Sequence, residues 1–195
     1  MYLNEPLFLE FIENKEIMWL GIDFSKSVFT KTGFDFPIEV LYHYFNEWNM
    51  LIISDQKKYD IRMAFRKPIM HYDLSFITKK NKSAKLSHLI VDHITIRNYF
   101  SEEQIVEYIK EMSLPCQTRF SLSLFVESFD QMSKTATIWV IIIENNSSEV
   151  VLCEKFMEAP SGFGVRNYWG RTFYNLFFNI KKREFLRWTN LVLPE

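Results

Sequence analysis

The histidines are the first residues whose type and spacing could do chemistry. His71 and Asp73 lie in residues 69–78, where apolar and polar side chains alternate as in a half-buried strand. Alternate side chains of a strand point to the same side, so an imidazole and a carboxylate could contact one ligand. The alternative is an exposed, hydrogen-bonded pair without a function.

A second cluster contains His88, Asp92 and His93 in residues 86–97. In a helix, His88 and Asp92 would share one face; in a strand, His93 would point away and one metal ligand would be lost. The β-branched residues of this stretch favour the strand. The spacing matches no metalloenzyme motif, so we expect neither a metal nor a cofactor.

Residues 162–170, GFGVRNYWG, connect a predicted strand to a predicted helix. Free backbone amides at the helix start and the guanidinium of Arg166 could bind an anion. If Trp169 and Phe173 face the core, the opposite helix face is in solvent. The candidate binding patch is therefore Arg166, Asn167, Arg171 and Asn175. The alternative is structural: the glycines allow a positive φ, and the polar residues brace the turn.

No catalytic motif is visible. No serine lies in a GxSxG sequence, and no paired acids or neighbouring Cys and His residues provide a nucleophile with its base. Cys116 and Cys153 are too few for a disulfide framework or a CxxC site. One bridge between them is possible, but two thiols are favoured, with Cys153 as a small hydrophobe in an apolar strand.

Hydrophobic periodicity predicts the elements that would position these residues. A strand over 16–24 is followed by a helix over 36–54, which begins at Asp35 and Pro37. Ser101 and Gln104 form a capping box, and Leu114 and Pro115 end that helix. An amphipathic helix follows residue 165, and Trp48 and Trp169 are expected to be buried against the sheet.

Three apolar runs, residues 120–129, 135–144 and 149–157, are separated by short connections and predict an antiparallel meander. The fold class is therefore α/β (α+β), a mixed sheet with a C-terminal three-stranded antiparallel meander and about three packed helices. The 195 residues suit one domain over 1–195, in which residues 1–15 could be a loosely attached arm.

Composition excludes several classes of protein. The chain is 48% hydrophobic, which excludes disorder, and its net charge of -1 disfavours nucleic acid as a partner. Two basic clusters are interpreted as solvated: one near the C-terminal end of the last helix, where cations complement the helix dipole, and one in a loop. They are Lys181, Lys182, Arg183 with Arg187, and Lys79, Lys80, Lys82 with Lys85.

The N-terminal segment, MYLNEPLFLEFIENKE, lacks the basic start and apolar run of a signal peptide. No stretch approaches the roughly 18 apolar residues of a membrane helix. The chain is therefore expected in the cytoplasm. A protein whose leader had been removed would have the same pattern, and would then lie in the periplasm or envelope.

The segments WLGIDFS, YFNEWNMLI, KKYDI, IWVIIIENNSSEVVL and GFGVRNYWGRTFYNL cover most of the chain. They resemble a family of small uncharacterised bacterial proteins, chiefly from Bacteroides-like species, with GFGxRNYW as the most specific motif. A secretion signal often precedes the WxGxDFS strand in that family, which implies an envelope location. The element order also resembles envelope lipoprotein domains related to the penicillin-binding-protein activator LpoB and to PelC, which implies binding of partners.

These observations favour a non-catalytic, protein-interaction or envelope-associated module whose partner is another protein, with a homo-oligomer left open. The alternative is a small-ligand or anion-binding protein, or an enzyme, with a site near Gly162–Arg166 and His71/Asp73.

Overall fold

The computed structural model of the chain describes residues 1–32, 34, 36–92, 99–110 and 117–193. These residues form an eight-stranded mixed sheet with helices on both faces. The strands are β1 (Tyr2–Leu3), β2 (Glu16–Asp23), β3 (Val28–Thr30), β4 (Ile69–Tyr72), β5 (Ile90–Val91), β6 (Phe120–Asp130), β7 (Thr135–Glu144) and β8 (Glu149–Glu158).

The helices are α1 (Glu5–Glu13), α2 (Val40–Ser54), α3 (Ile61–Ala64), α4 (Ser75–Lys82), α5 (Glu102–Lys110), α6 (Val165–Asn179) and α7 (Phe185–Val192). A 3-10 turn covers Leu86–His88, and a π-helical segment, Ile180–Glu184, joins α6 to α7. The three predicted helices are therefore present as α2, α5 and α6, and the chain forms others besides.

The sheet order is β1-β8-β7-β6-β2-β4. The strands β6, β7 and β8 pair antiparallel, as predicted for the meander, and their apolar runs explain why they form the centre of the sheet. Strand β2 runs parallel to both β6 and β4, and β3 continues in the same direction beside β6 and β5. The predicted mixed α+β fold is confirmed.

Alternate side chains of the central strands enter two cores. The larger core lies between the sheet and helices α1, α2, α6 and α7. It buries Trp48 and Trp169, which are 0% and 1% exposed, so the prediction that both face the sheet is confirmed. On the other face, Ile105 and Ile109 of α5 pack against Trp139, while Ile77 of α4 packs against strand β2. The fold therefore has three layers.

Several element boundaries differ from the sequence prediction. The strand expected over 69–78 ends at Tyr72: the carboxylate of Asp73 accepts the Ser75 amide at 2.9 Å, which turns the chain, and α4 begins at Ser75. The helix expected over 36–54 starts at Val40. Asp35, proposed as its start signal, lies outside the described residues.

The segment expected to be a strand over 86–97 begins as a 3-10 turn and contributes the short strand β5; His93 lies outside the described residues. The capping box is present, since the Ser101 amide donates to Gln104 at 2.9 Å and the Gln104 amide to Ser101 at 3.3 Å. Its predicted helix end at Leu114 and Pro115 also lies outside the described residues.

Residues 1–15 are part of the fold rather than a loosely attached arm. Strand β1 pairs with β8, and α1 buries Phe8 and Phe11 completely in the larger core. The segment 79–82, expected to be a loop, is the last turn of α4. Cys153 is a buried thiol whose pKa is raised by burial, and Cys116 lies outside the described residues.

Candidate functional site

The predicted patch at the start of α6 is tied to its surroundings. Gly162 and Gly164 have φ of +115° and +73°, so this turn needs glycine. The Arg166 guanidinium lies 2.8 Å from a Glu47 carboxylate oxygen, and its backbone carbonyl accepts from Trp48 Nε1 at 3.0 Å. Arg166 therefore links α6 to α2.

The other three residues of that patch differ in their surroundings. Asn175 donates to the Ala159 carbonyl at 3.0 Å, which holds the loop between β8 and α6. The Arg171 guanidinium stacks 4.3 Å from the Tyr174 ring. Asn167 is exposed and accepts from Arg166 at 3.3 Å. As an anion-binding patch, Arg166, Asn167, Arg171 and Asn175 stay a prediction.

His71 and Asp73 contact different neighbours, and their shared binding role stays a prediction. His71 Nε2 lies 3.0 Å from the Glu16 carboxylate, at the start of β2. Asp73 instead interacts with Ser75, whose side chain and backbone amide both hydrogen-bond to its carboxyl and hold the pKa of that group below the usual range. No described hydrogen bond or ion pair joins either residue to Arg166.

A different surface combines exposed apolar groups with positive charge. It is a groove of about 740 Å³ between α3, the segment after it and the π-helical segment. We call it the basic groove, and its residues are Arg62, Met63, Arg66, Lys67, Pro68 and Lys181. Met63 is 55% exposed, and Pro68 directly precedes β4, the last strand in the sheet order.

The turn that ends α3 places Arg66 at the groove. Arg66 has φ of +52°, and the Lys67 amide donates to the Arg62 carbonyl at 2.9 Å, closing a C-terminal cap. Glycine usually occupies such a position because a side chain there is strained. Here the side chain is an arginine whose guanidinium lies 5.0 Å from the Phe185 ring centre.

The buried Lys67 fixes the inner side of the groove. Its ammonium donates to the Phe11 carbonyl and, at 2.6 Å, to the Asn14 carbonyl, so it caps the C-terminus of α1. Burial lowers its pKa to about 8. Lys67 therefore joins α1 to the segment that carries the groove. Its ammonium group already donates to these carbonyls.

The remaining cations face outward. Lys181 lies 3.9 Å from Asp60, which also caps α3 by accepting the Met63 amide at 3.2 Å. Within the described part of the chain, neither Arg62 nor Arg66 forms an ion pair. The groove thus combines an apolar lining with two guanidinium groups that have no carboxylate partner in the described ranges.

Sequence reasoning missed this groove for a physical reason. It interpreted Lys181, Lys182 and Arg183 as complementing the C-terminal dipole of the last helix, but the helical path continues through the π-helical segment into α7. The basic residues therefore lie in the middle of a helix. Only the packing of α3 against this segment brings Arg62 and Arg66 beside Lys181.

Among the residues described, no group of three His, Cys, Asp or Glu side chains lies close enough to hold a metal ion. No helix in the described ranges has the length and apolar character needed to cross a membrane.

Comparison with known proteins gave little. No protein-family model matches the chain, and no curated protein matches it. A solved structure, that of the hypothetical protein CT253 from Chlamydia trachomatis, is similar with 10% sequence identity and a TM-score of 0.34, over 91% of this chain and 99% of that one.

Proposed function

We propose that the protein is a non-catalytic interaction module that binds an acidic segment of another protein in the basic groove. The observation that carries the proposal is the combination of exposed Met63 with Arg62 and Arg66, two guanidinium groups without a carboxylate partner among the described residues. Arginine with an exposed apolar side chain is typical of the energetic centre of protein interfaces.

Charge complementarity favours an acidic partner. Guanidinium groups bind carboxylates in paired hydrogen bonds, and the apolar lining would receive a leucine-like side chain from the same segment. Pro68 of the groove directly precedes the outer strand β4, whose Ile69 is 48% exposed. An extended segment with alternating acidic and apolar residues fits a groove that ends at the edge of a sheet.

The test is binding of a fluorescein-labelled peptide in which glutamate alternates with leucine, measured by fluorescence anisotropy. We expect saturable binding of this peptide. A peptide in which lysine replaces glutamate should not bind, and neither should one in which serine replaces leucine. Arg62→Glu with Arg66→Glu should weaken binding by about tenfold or more, because repulsion replaces two charge-assisted contacts. Met63→Ser should weaken it by removing the apolar contact.

The matched control is Lys26→Glu with Lys85→Glu, which makes the same change in net charge on exposed residues outside the groove. Equal weakening in both double variants would show non-specific attraction and contradict the proposal. So would tighter binding of a single-stranded DNA oligonucleotide, since the groove would then be a nucleic-acid site. Circular dichroism checks that each variant is folded.

A further inference from the structure

A second site lies where strand β2 ends. The chain leaves the sheet after Asp23 and re-enters it at Val28, and both β2 and β3 pair in parallel with β6. Strand β4 pairs with β2 only as far as Trp19. Within the part of the chain that the structure describes, the last residues of β2 therefore lack a strand partner on that edge. A crevice lies at the carboxyl ends of these parallel strands, where ligands bind in many α/β proteins.

Two buried asparagines replace the missing strand. The Ile22 amide donates to Asn49 of α2 at 2.7 Å, and the Phe24 amide donates to Asn81 of α4 at 2.7 Å. Both asparagine side chains donate in turn to the Ile22 carbonyl. The end of β2 is thus held between helices on opposite faces of the sheet, so the crevice has rigid walls.

A buried carboxylate organises the crevice. Asp23 is 1% exposed, and its oxygens accept from Tyr108 Oη at 2.8 Å and from the Ser25 amide at 2.8 Å, with Lys80 Nζ 3.1 Å away. Asp23 therefore anchors side chains from α4 and α5 at one point. The Lys80 and Lys26 ammonium groups both lie against the Tyr108 ring, at 3.7 and 4.2 Å from its centre.

The cavity above this network has a volume of about 460 Å³. We call it the β2-end pocket, and its polar lining includes Ser25, Lys26, Lys80, Ser83, Lys85 and His88. Among the described lining residues there is no carboxylate, and Asp23 lies behind Lys80. Lys26 and Lys85 are exposed, so the pocket presents two ammonium groups to solvent.

We propose that the β2-end pocket binds the dianionic phosphate of a small phosphomonoester. The Tyr108 and Ser83 hydroxyls already donate within the protein, so the argument rests on charge. Lys26, Lys80 and Lys85 bring three positive charges to the pocket, and Asp23 offsets that of Lys80. The two that remain match the nearly two negative charges of a phosphomonoester at neutral pH, whereas a carboxylate carries one. The lining offers donors rather than carboxylate acceptors, which suits an anion that carries no proton. The volume leaves room for the organic part of the ligand.

This proposal is independent of the basic groove, because the two sites share no lining residue. Its probe is glycerol 3-phosphate, titrated into the full chain at neutral pH and constant ionic strength, with binding followed by calorimetry and by backbone amide NMR shifts. We expect saturable binding, with shifts concentrated at Ser25, Ser83 and Lys85. Glycerol should not bind, and acetate should bind at least about tenfold more weakly.

Lys26→Glu with Lys85→Glu should weaken glycerol 3-phosphate binding by about tenfold or more, since both residues are exposed and their charge is reversed at the pocket. Arg62→Glu with Arg66→Glu is the matched control: it makes the same change in net charge and should leave this binding unchanged. Lys26→Ala with Lys85→Ala, which adds no acid, should give a smaller loss in the same direction.

Four results would overturn the proposal: no saturable binding by the wild-type protein, equal binding of acetate, equal weakening by the two charge-reversed variants, or binding to phosphatidic acid vesicles without binding to the soluble phosphomonoester. The last result would assign the cations to a lipid surface. A failure here leaves the peptide experiment on the basic groove unaffected, so the two proposals are tested separately.

Discussion

Gly21 is the residue on which the end of β2 depends most directly. Its φ is +109°, and a Cβ atom at this position would lie 2.5 Å from Asn49 Oδ1 and 2.9 Å from Leu74. Gly21→Ala would therefore add backbone strain and displace the asparagine that satisfies Ile22. We expect the free energy of unfolding, measured by urea denaturation, to fall by about 3 kcal/mol.

The matched control for Gly21 is Gly164. It also has a positive φ, +73°, but no neighbouring atom lies within 4 Å of a Cβ built there. Gly164→Ala should therefore cost only the conformational strain, about 1 kcal/mol. Equal losses in the two variants would show that steric contact with Asn49 contributes nothing.

Lys67 should give the protein a measurable pH dependence. Its pKa is lowered from 10.5 to about 8 by burial, so between these values the unfolded chain binds more protons than the folded one. The free energy of unfolding of the wild type should therefore rise with pH across this window, relative to Lys67→Met, by on the order of 3 kcal/mol. Below pH 8 the cost of burying the charge is present in full.

The measurement for Lys67 is urea denaturation of both proteins at several pH values from 7 to 10.5. Lys67→Met also leaves the Phe11 and Asn14 carbonyls without their donor, which lowers stability at every pH. The informative quantity is therefore the difference between the two proteins in the slope of unfolding free energy against pH. Lys58→Met, at an exposed position, should follow the wild-type profile. Parallel profiles for wild type and Lys67→Met would contradict the assigned pKa.

Among the elements, α1 shows how a segment can be integral to the fold although its sequence resembles an arm. Phe11 is 0% exposed and packs edge-on against Phe120 of β6 at 5.5 Å between ring centres. Phe11→Ala should lower the free energy of unfolding by about 3 to 5 kcal/mol, measured by thermal and urea denaturation. Leu9, 37% exposed on the same helix, is the control, and Leu9→Ala should cost less than about 1 kcal/mol. If neither variant changed the free energy of unfolding, α1 would be only loosely attached to the fold.

For the whole molecule, net charge proved a poor guide to local charge. The chain has 23 basic and 24 acidic residues, yet folding gathers cations into two places. The basic groove combines residues from 62–68 with Lys181, and the β2-end pocket combines the segments around residues 26, 80, 85 and 108. A balanced composition thus weakens the case for long polyanions but does not exclude binding of one acidic group in one pocket.

The sequence by itself was enough to predict the meander, the capping box and the buried tryptophans. Each depends on residues close together along the chain. The apolar runs of β6, β7 and β8 are joined by short turns, and the Ser101 and Gln104 bonds close within one helical turn. The helical spacing that places Trp48 and Trp169 is likewise local, so side-chain periodicity suffices.

Only the tertiary structure decided which polar residues share a site. His71 and Asp73 look like partners because a strand would point both to the same side, but the strand ends at Tyr72, so Asp73 lies in the connection to α4. Asp23 and Lys80 look unrelated, since they are 57 residues apart and lie on different elements, yet Lys80 forms an ion pair with the buried Asp23 carboxylate. Periodicity reports which face a residue occupies within its own element. Which faces meet is set by sheet order and helix packing, which minimise exposed apolar area over the whole chain.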